Sequence, residues 1–179
     1  LREGYILVYQ DVRGRWMSEG KFMDVRPFNP NKINNTDIDE ASDTYDAIDW
    51  IIKNIPNNNE RVGVFGISYP GFYSTMAALS NHPALKAVSP QAPVTDWFIG
   101  DDFHHNGAFF QMDGFAFYTG FGKPRPKPTT IGPRGFDFPS NDSYKFYLEQ
   151  GTLKNLAKIM GDSIQFWKDL YAHPNLDEW

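Results

Sequence analysis

Arg61-Val62-Gly63-Val64-Phe65-Gly66-Ile67-Ser68-Tyr69-Pro70-Gly71-Phe72-Tyr73 is the stretch whose reading decides the fold. It reads as a short buried strand from Arg61 to Gly66, a sharp turn carrying Ser68, and the start of a helix rich in small residues. A serine placed there is lifted above the end of a sheet with a helix N-terminus behind it, the arrangement of a nucleophile elbow. The helix start favours developing negative charge, and its backbone N–H groups can hold an oxyanion. The usual elbow has glycine two residues before and two after the serine. Here Gly66 holds the first position, Pro70 holds the second, and Gly71 follows. A plainer reading stays open on local pattern alone: a strand-to-helix turn in which Ser68 is only a capping residue.

Working outward, Tyr5-Ile6-Leu7-Val8-Tyr9-Gln10 is a dense apolar and aromatic run, which predicts a strand buried on both faces of a parallel sheet. A loop-like segment follows from Met17 to Ile33. Thr36 is the expected cap of the next helix, with Ala41, Tyr45, Ile48, Ile52 and Ile55 as its apolar face. Asp39, Asp43 and Asp46 lie off that stripe and read as a solvated acidic face. On the other side of the elbow, Leu85 to Ser89 predicts a third strand. Strand, helix, strand, helix, strand implies right-handed crossovers and a parallel sheet.

Near residue 95 the character changes. Asp96 to Phe121 is rich in aromatics, glycine and histidine with weak periodicity, and Lys123 to Pro139 is a proline-rich surface loop or linker. Residues 142–150 and 153–172 read as helical. The expected division is residues 1–95 as part of a sheet domain and 96–179 as part of a helical cap.

Composition narrows the function. The chain has 179 residues, 41% hydrophobic and 16% aromatic, a formal net charge of -5 and no cysteine. The absence of cysteine removes disulfides, thiolate metal sites and cysteine nucleophiles. The charge, without a basic run, argues against a nucleic-acid partner. No apolar stretch approaches the roughly 20 residues of a membrane span. The chain opens on Leu1-Arg2-Glu3-Gly4, directly before the first strand, so it is expected to begin inside a larger protein.

The form Gly-x-Ser-Tyr-x-Gly at Gly66–Gly71 resembles the X-prolyl dipeptidyl-peptidase and cocaine esterase family, which includes α-amino acid ester hydrolases and cephalosporin acylases. The likeness extends to Gln10-Asp11-Val12-Arg13-Gly14 with Ser18-Glu19-Gly20, to Asp43-Thr44-Tyr45-Asp46-Ala47-Ile48-Asp49-Trp50, and to His82-Pro83-Ala84-Leu85-Lys86. Gly100-Asp101-Asp102-Phe103-His104 and Ala172-His173-Pro174 also look like α-amino acid ester hydrolases. The resemblance implies an α/β-hydrolase with the start of a helical cap, acting without a cofactor on a small-molecule ester or amide. It implies acyl transfer by Ser68, with the backbone N–H of Tyr69 as one oxyanion donor. The second donor, a tyrosine hydroxyl, is expected upstream of Gln10-Asp11. The acid and histidine of the triad are expected beyond Trp179, since in this fold they follow the cap. His82, His104, His105 and His173 are better read as cap or surface residues. The resemblance also implies a periplasmic or secreted enzyme, and leaves a homo-oligomer open.

By the same resemblance Asp102 matches a carboxylate that holds the substrate α-ammonium in α-amino acid ester hydrolases. A carboxylate there would favour aminoacyl groups and disfavour a carboxylated acyl group such as glutaryl. Two rivals accompany it: Asp101 and Asp102 as helix caps, or a metal site with His104 and His105. The metal reading is weak, because adjacent residues rarely converge on one ion without a third ligand region. The alternatives in function are an X-prolyl dipeptidyl peptidase, a broad esterase or a glutaryl acylase. From another class comes a catalytically inactive relative that binds a ligand through Trp97, Phe98, Phe103, Phe109 and Phe110.

Overall fold

The structure, a computed structural model, describes residues 3–96, 98–99 and 103–178. The chain separates into two compact units: Leu1–Gln10 with Val25–Thr95, and Asp11–Asp24 with Asp96–Trp179.

The first unit is built on helix α1 (Glu40–Asn54), strand β1 (Val62–Ile67), helix α2 (Tyr69–Ala78) and strand β2 (Leu85–Gln91). β1 and β2 run parallel from the pair Val62 and Leu85 to the pair Ile67 and Gln91, with one irregularity after Val62. A parallel pair needs a crossover, and α2 provides it, packing against both strands while α1 packs on α2. The small residues of α2 allow this close approach: Ser74 and Ala77 are fully buried.

α1 starts later than its composition suggests. Thr36 is taken up in a turn of its own, where its N–H donates to the Asn34 side chain. The cap is Asp39, whose side chain accepts from the Ser42 N–H while the Ser42 hydroxyl accepts from the Asp39 N–H. Asp39 is therefore no part of a solvated face: it is 0% exposed and its carboxylate lies 2.5 Å from Lys32 Nζ. Burial works to raise its pKa. The hydrogen bonds from Lys32, Asn29 and Ser42, together with the Lys32 charge, outweigh burial and hold the carboxyl below its ordinary range. Ala41 and Ile48 of the expected stripe are buried, whereas Tyr45 is half-exposed.

Tyr5 to Gln10 forms no ladder among the described residues, and Tyr5 and Tyr9 are 71% and 88% exposed. The expectation of a strand buried on both faces is not met. Such a strand needs neighbours on both edges and layers on both faces, and the described sheet holds only β1 and β2.

The second unit contains β3 (His104–His105), β4 (Ala108–Phe109), α3 (Gln111–Tyr118), α4 (Ser143–Gln150), α5 (Leu153–Met160) and α6 (Gln165–Ala172). β3 and β4 form a hairpin across Asn106-Gly107, both at positive φ (51° and 81°), the preference of the tight two-residue turn. Residues 153–172 are two helices rather than one. Gly161, at φ 67°, ends α5, and its N–H donates to the Ala157 carbonyl. The core is aromatic: Phe115 and Tyr118 are fully buried, and Phe115 meets Phe136, Phe146, Tyr147 and Trp167 with centroids 5.3–6.3 Å apart. The proline-rich run thus contributes Phe136 and Phe138 to packing as well as linking elements.

Segment Asp11–Asp24 is fastened into this second unit although it lies early in the sequence. Arg15 donates to the carbonyls of Phe121 and Lys123 and lies over the rings of Phe22 and Phe121. Arg125 returns the contact, donating to the carbonyls of Gly14 and Ser18.

Candidate active site

Ser68 follows the last residue of β1 and stands as the N-cap of α2, with φ 64° and ψ −121°. This is a region that glycine enters freely and that costs a residue with a Cβ roughly 1–3 kcal/mol. Neighbouring backbone holds it there. The Ser68 N–H donates to the Gln91 carbonyl at 2.9 Å, and the Ser68 carbonyl accepts the Phe72 N–H at 3.1 Å.

The two glycines of the stretch have separate steric reasons. A Cβ on Gly66 would come within 2.2 Å of the Pro70 carbonyl oxygen, and one on Gly71 within 2.6 Å of the Gln91 carbonyl oxygen. The departure from the usual spacing is thereby explained. Pro70 occupies an early helical position, where its missing N–H costs nothing, and the close approach to the next strand falls on Gly71.

The Ser68 side chain is exposed and makes no capping hydrogen bond. The reading of Ser68 as a capping residue therefore has no bond to rest on. A hydroxyl outside a cap, at the positive end of a helix, sits where an attacking oxygen and a developing oxyanion are both favoured. Tyr69 is the first residue of α2, in the turn whose N–H groups are not used by the helix itself. Its side chain is directed by a contact the sequence does not reveal: the Tyr69 hydroxyl accepts the Val25 N–H at 3.0 Å, and Val25 is held at φ 36°.

The histidines have other partners. His82 is buried, its Nδ1 accepts the Ala84 N–H at 3.0 Å, and its ring lies 4.5 Å from Tyr45. His104 is buried and stacked on Phe98, His105 stacks on Phe110, and His173 meets Asp177 at 2.7 Å. Asp102, with Asp101 and Trp97, lies outside the described residues. Just before them, Asp96 accepts the N–H groups of Ile99 and Phe98, and those bonds hold its carboxyl below the ordinary range.

The comparison that decides kinship matches the elbow and its surroundings together. The X-Pro dipeptidyl-peptidase (S15 family) model matches residues 1–179. The chain belongs to the X-Pro dipeptidyl-peptidase (S15) family.

Individual proteins are similar to it over part of their length. Over 108 residues the chain is 32% identical to the cocaine esterase of Rhodococcus sp. (strain MB1 Bresler), covering 60% of this chain and 17% of that protein. Its structure is similar to an aminopeptidase from a marine sediment Thaumarchaeota archaeon, at 42% identity and TM-score 0.87. That match covers 99% of this chain and 28% of the other. An α-amino acid ester hydrolase matches at 37% identity and TM-score 0.86 with the same coverages. The S15 chain thus spans 17% of the esterase and 28% of each solved relative. Its parallel sheet and crossover helix are part of an α/β-hydrolase fold.

The sequence pointed to Ser68 and both glycines. It did not point to the Gln91-Ala92-Pro93 turn, which holds the elbow from the neighbouring strand. Its signal was present as the two prolines, Pro90 and Pro93, that bracket the end of β2.

Proposed function

We propose that this chain carries the nucleophile of a serine hydrolase acting on α-amino acid esters or β-lactam amides. Ser68 Oγ attacks the carbonyl carbon, its proton passes to a histidine, and the alcohol or amine leaves with that proton. Water then cleaves the acyl-enzyme. The Tyr69 N–H is one donor to the oxyanion. The histidine and its acid come from outside residues 1–179, in keeping with the packing partners that the four histidines here already have.

One observation carries the reading. Ser68 is held at φ 64°, ψ −121° beside two glycines that admit no side chain, and its hydroxyl is not spent on capping. A strained serine without a local structural use is best explained by a chemical one. Family membership supports hydrolysis in general. The likeness to an α-amino acid ester hydrolase and to an aminopeptidase supports a substrate with a free α-amino group.

Asp102 is proposed to hold that ammonium; the support is the likeness of Gly100-Asp101-Asp102-Phe103-His104 to α-amino acid ester hydrolases. Of the fold-level alternatives, a broad esterase or a glutaryl acylase lacks this preference, whereas an X-prolyl dipeptidyl peptidase shares the free amino group and differs in requiring proline at the second position. The test uses the enzyme as naturally produced, comparing an aminoacyl ester with its des-amino analogue. The reading expects a kcat/KM at least ~10-fold higher for the ammonium form, reduced by Asp102→Asn, and turnover lost in Ser68→Ala. Equal rates on both esters would remove the aminoacyl assignment. Full turnover by Ser68→Ala would remove the hydrolase reading.

The binding alternative has less support. Phe103 is buried in the core, and the cavity that Phe109 lines with His104 and Trp167 holds about 50 Å³, room for a few waters.

A further inference from the structure

We propose that Ala92 is a positioning residue for Ser68, acting through the Gln91 carbonyl. The inference rests on the reading of Ser68 as nucleophile. Three observations converge on the turn after β2. The Gln91 carbonyl accepts the Ser68 N–H at 2.9 Å. The same oxygen lies 2.6 Å from where a Gly71 Cβ would stand, so helix and turn meet there without spare room. The next residue, Ala92, is at φ 41°, a left-handed conformation that an alanine rarely adopts.

Ala92 also precedes Pro93, whose ring narrows the conformations of the residue before it. Pro93 in turn approaches Gly71, with its Cα 3.0 Å from the Gly71 Cβ position. The two strained residues, Ser68 and Ala92, are therefore joined through a single peptide carbonyl. The angle at which β2 ends fixes where that carbonyl points. The carbonyl fixes the Ser68 N–H, and with it the direction in which Oγ leaves the backbone. An alanine here is stiffer than a glycine and costs more. The stiffness is what the elbow gains.

Ala92→Gly separates rigidity from stability. Glycine accepts φ 41° without penalty, so the variant is expected to fold with a melting temperature equal to or above that of the parent. Its kcat on an ester is expected to fall roughly tenfold, short of the ~100-fold that a 1 Å misplacement can cost. KM is expected to stay within about twofold, since ground-state binding is untouched. The rate of Ser68 phosphonylation by a fluorophosphonate should fall in parallel with kcat.

Ala92→Asn is the rescue. Asparagine tolerates positive φ yet keeps a Cβ, so its kcat should lie nearer the parent than that of the glycine variant. Undiminished kcat and phosphonylation in Ala92→Gly, in an enzyme that Ser68→Ala inactivates, would overturn the positioning role alone. A Ser68→Ala enzyme with full turnover would overturn the reading beneath it. A change in KM with constant kcat and an undiminished phosphonylation rate would also overturn the proposal, because it would place Ala92 in substrate binding.

Discussion

Ser68 stores a conformational cost, which the proposed role as nucleophile would account for. At φ 64° and ψ −121° a side chain is disfavoured, and only glycine sits there freely. Ser68→Gly is therefore expected to be more stable than Ser68→Ala by about 1 kcal/mol, while both lose turnover. Paired thermal unfolding curves read this directly. Equal melting temperatures would mean that the strain is not expressed. The strained turn was half legible in the sequence. Gly66, Gly71 and a serine after a strand are residue types that announce a tight turn. Alanine does not, so the strained turn at Ala92 and the Val25 N–H on the Tyr69 hydroxyl stayed hidden.

Elements were legible where apolar spacing was strong and obscure where small polar groups set boundaries. β1, α2 and β2 follow directly from their composition. The start of α1 did not, because Thr36, Asp37 and Asp39 are all plausible caps and the choice was made by burial. Asp39 is the one enclosed by Lys32, Asn29 and Ser42. Its partners hold the carboxyl below the ordinary value of 3.8. The sign follows: as the pH falls, the unfolded chain binds the proton first. The stabilisation from Asp39 is complete above 3.8 and is lost as the pH drops through its own lower value. Asp39→Asn keeps a competent cap but removes this titration. The variant is expected to be less stable near neutrality by about 1–2 kcal/mol and to converge on the parent in acid. A constant gap across that pH range, measured by urea unfolding, would assign the loss to packing instead. Asn106-Gly107 carries a two-residue hairpin signal inside an aromatic-rich stretch. The break at Gly161 was equally readable, as a glycine inside a helical pattern.

At the scale of the molecule, the described first unit leaves much apolar surface uncovered. Phe65 and Ile67 of β1 are 66% and 60% exposed, and Tyr5 to Tyr9 is exposed throughout. A monomeric surface rarely carries so much in one unit. The dense apolar run at residues 5–10 predicts a buried strand, and among the described residues it is neither paired nor buried. Its burial could not follow, because burial belongs to neighbours and not to the strand's own residues. The same holds for the site: a strained serine, its turn and a helix start are here, and both the nucleophilic role of Ser68 and the base that would activate it are proposals.

The central claim, that Ser68 is an activated nucleophile, meets its most direct test in one mass measurement. The enzyme as naturally produced is treated with a fluorophosphonate, digested, and its peptides weighed. The account requires one phosphonyl adduct on the peptide carrying Gly66–Gly71, located at Ser68 and absent from Ser68→Ala. An unmodified Ser68 in an enzyme that still turns over esters, or an adduct on a different serine, would contradict it.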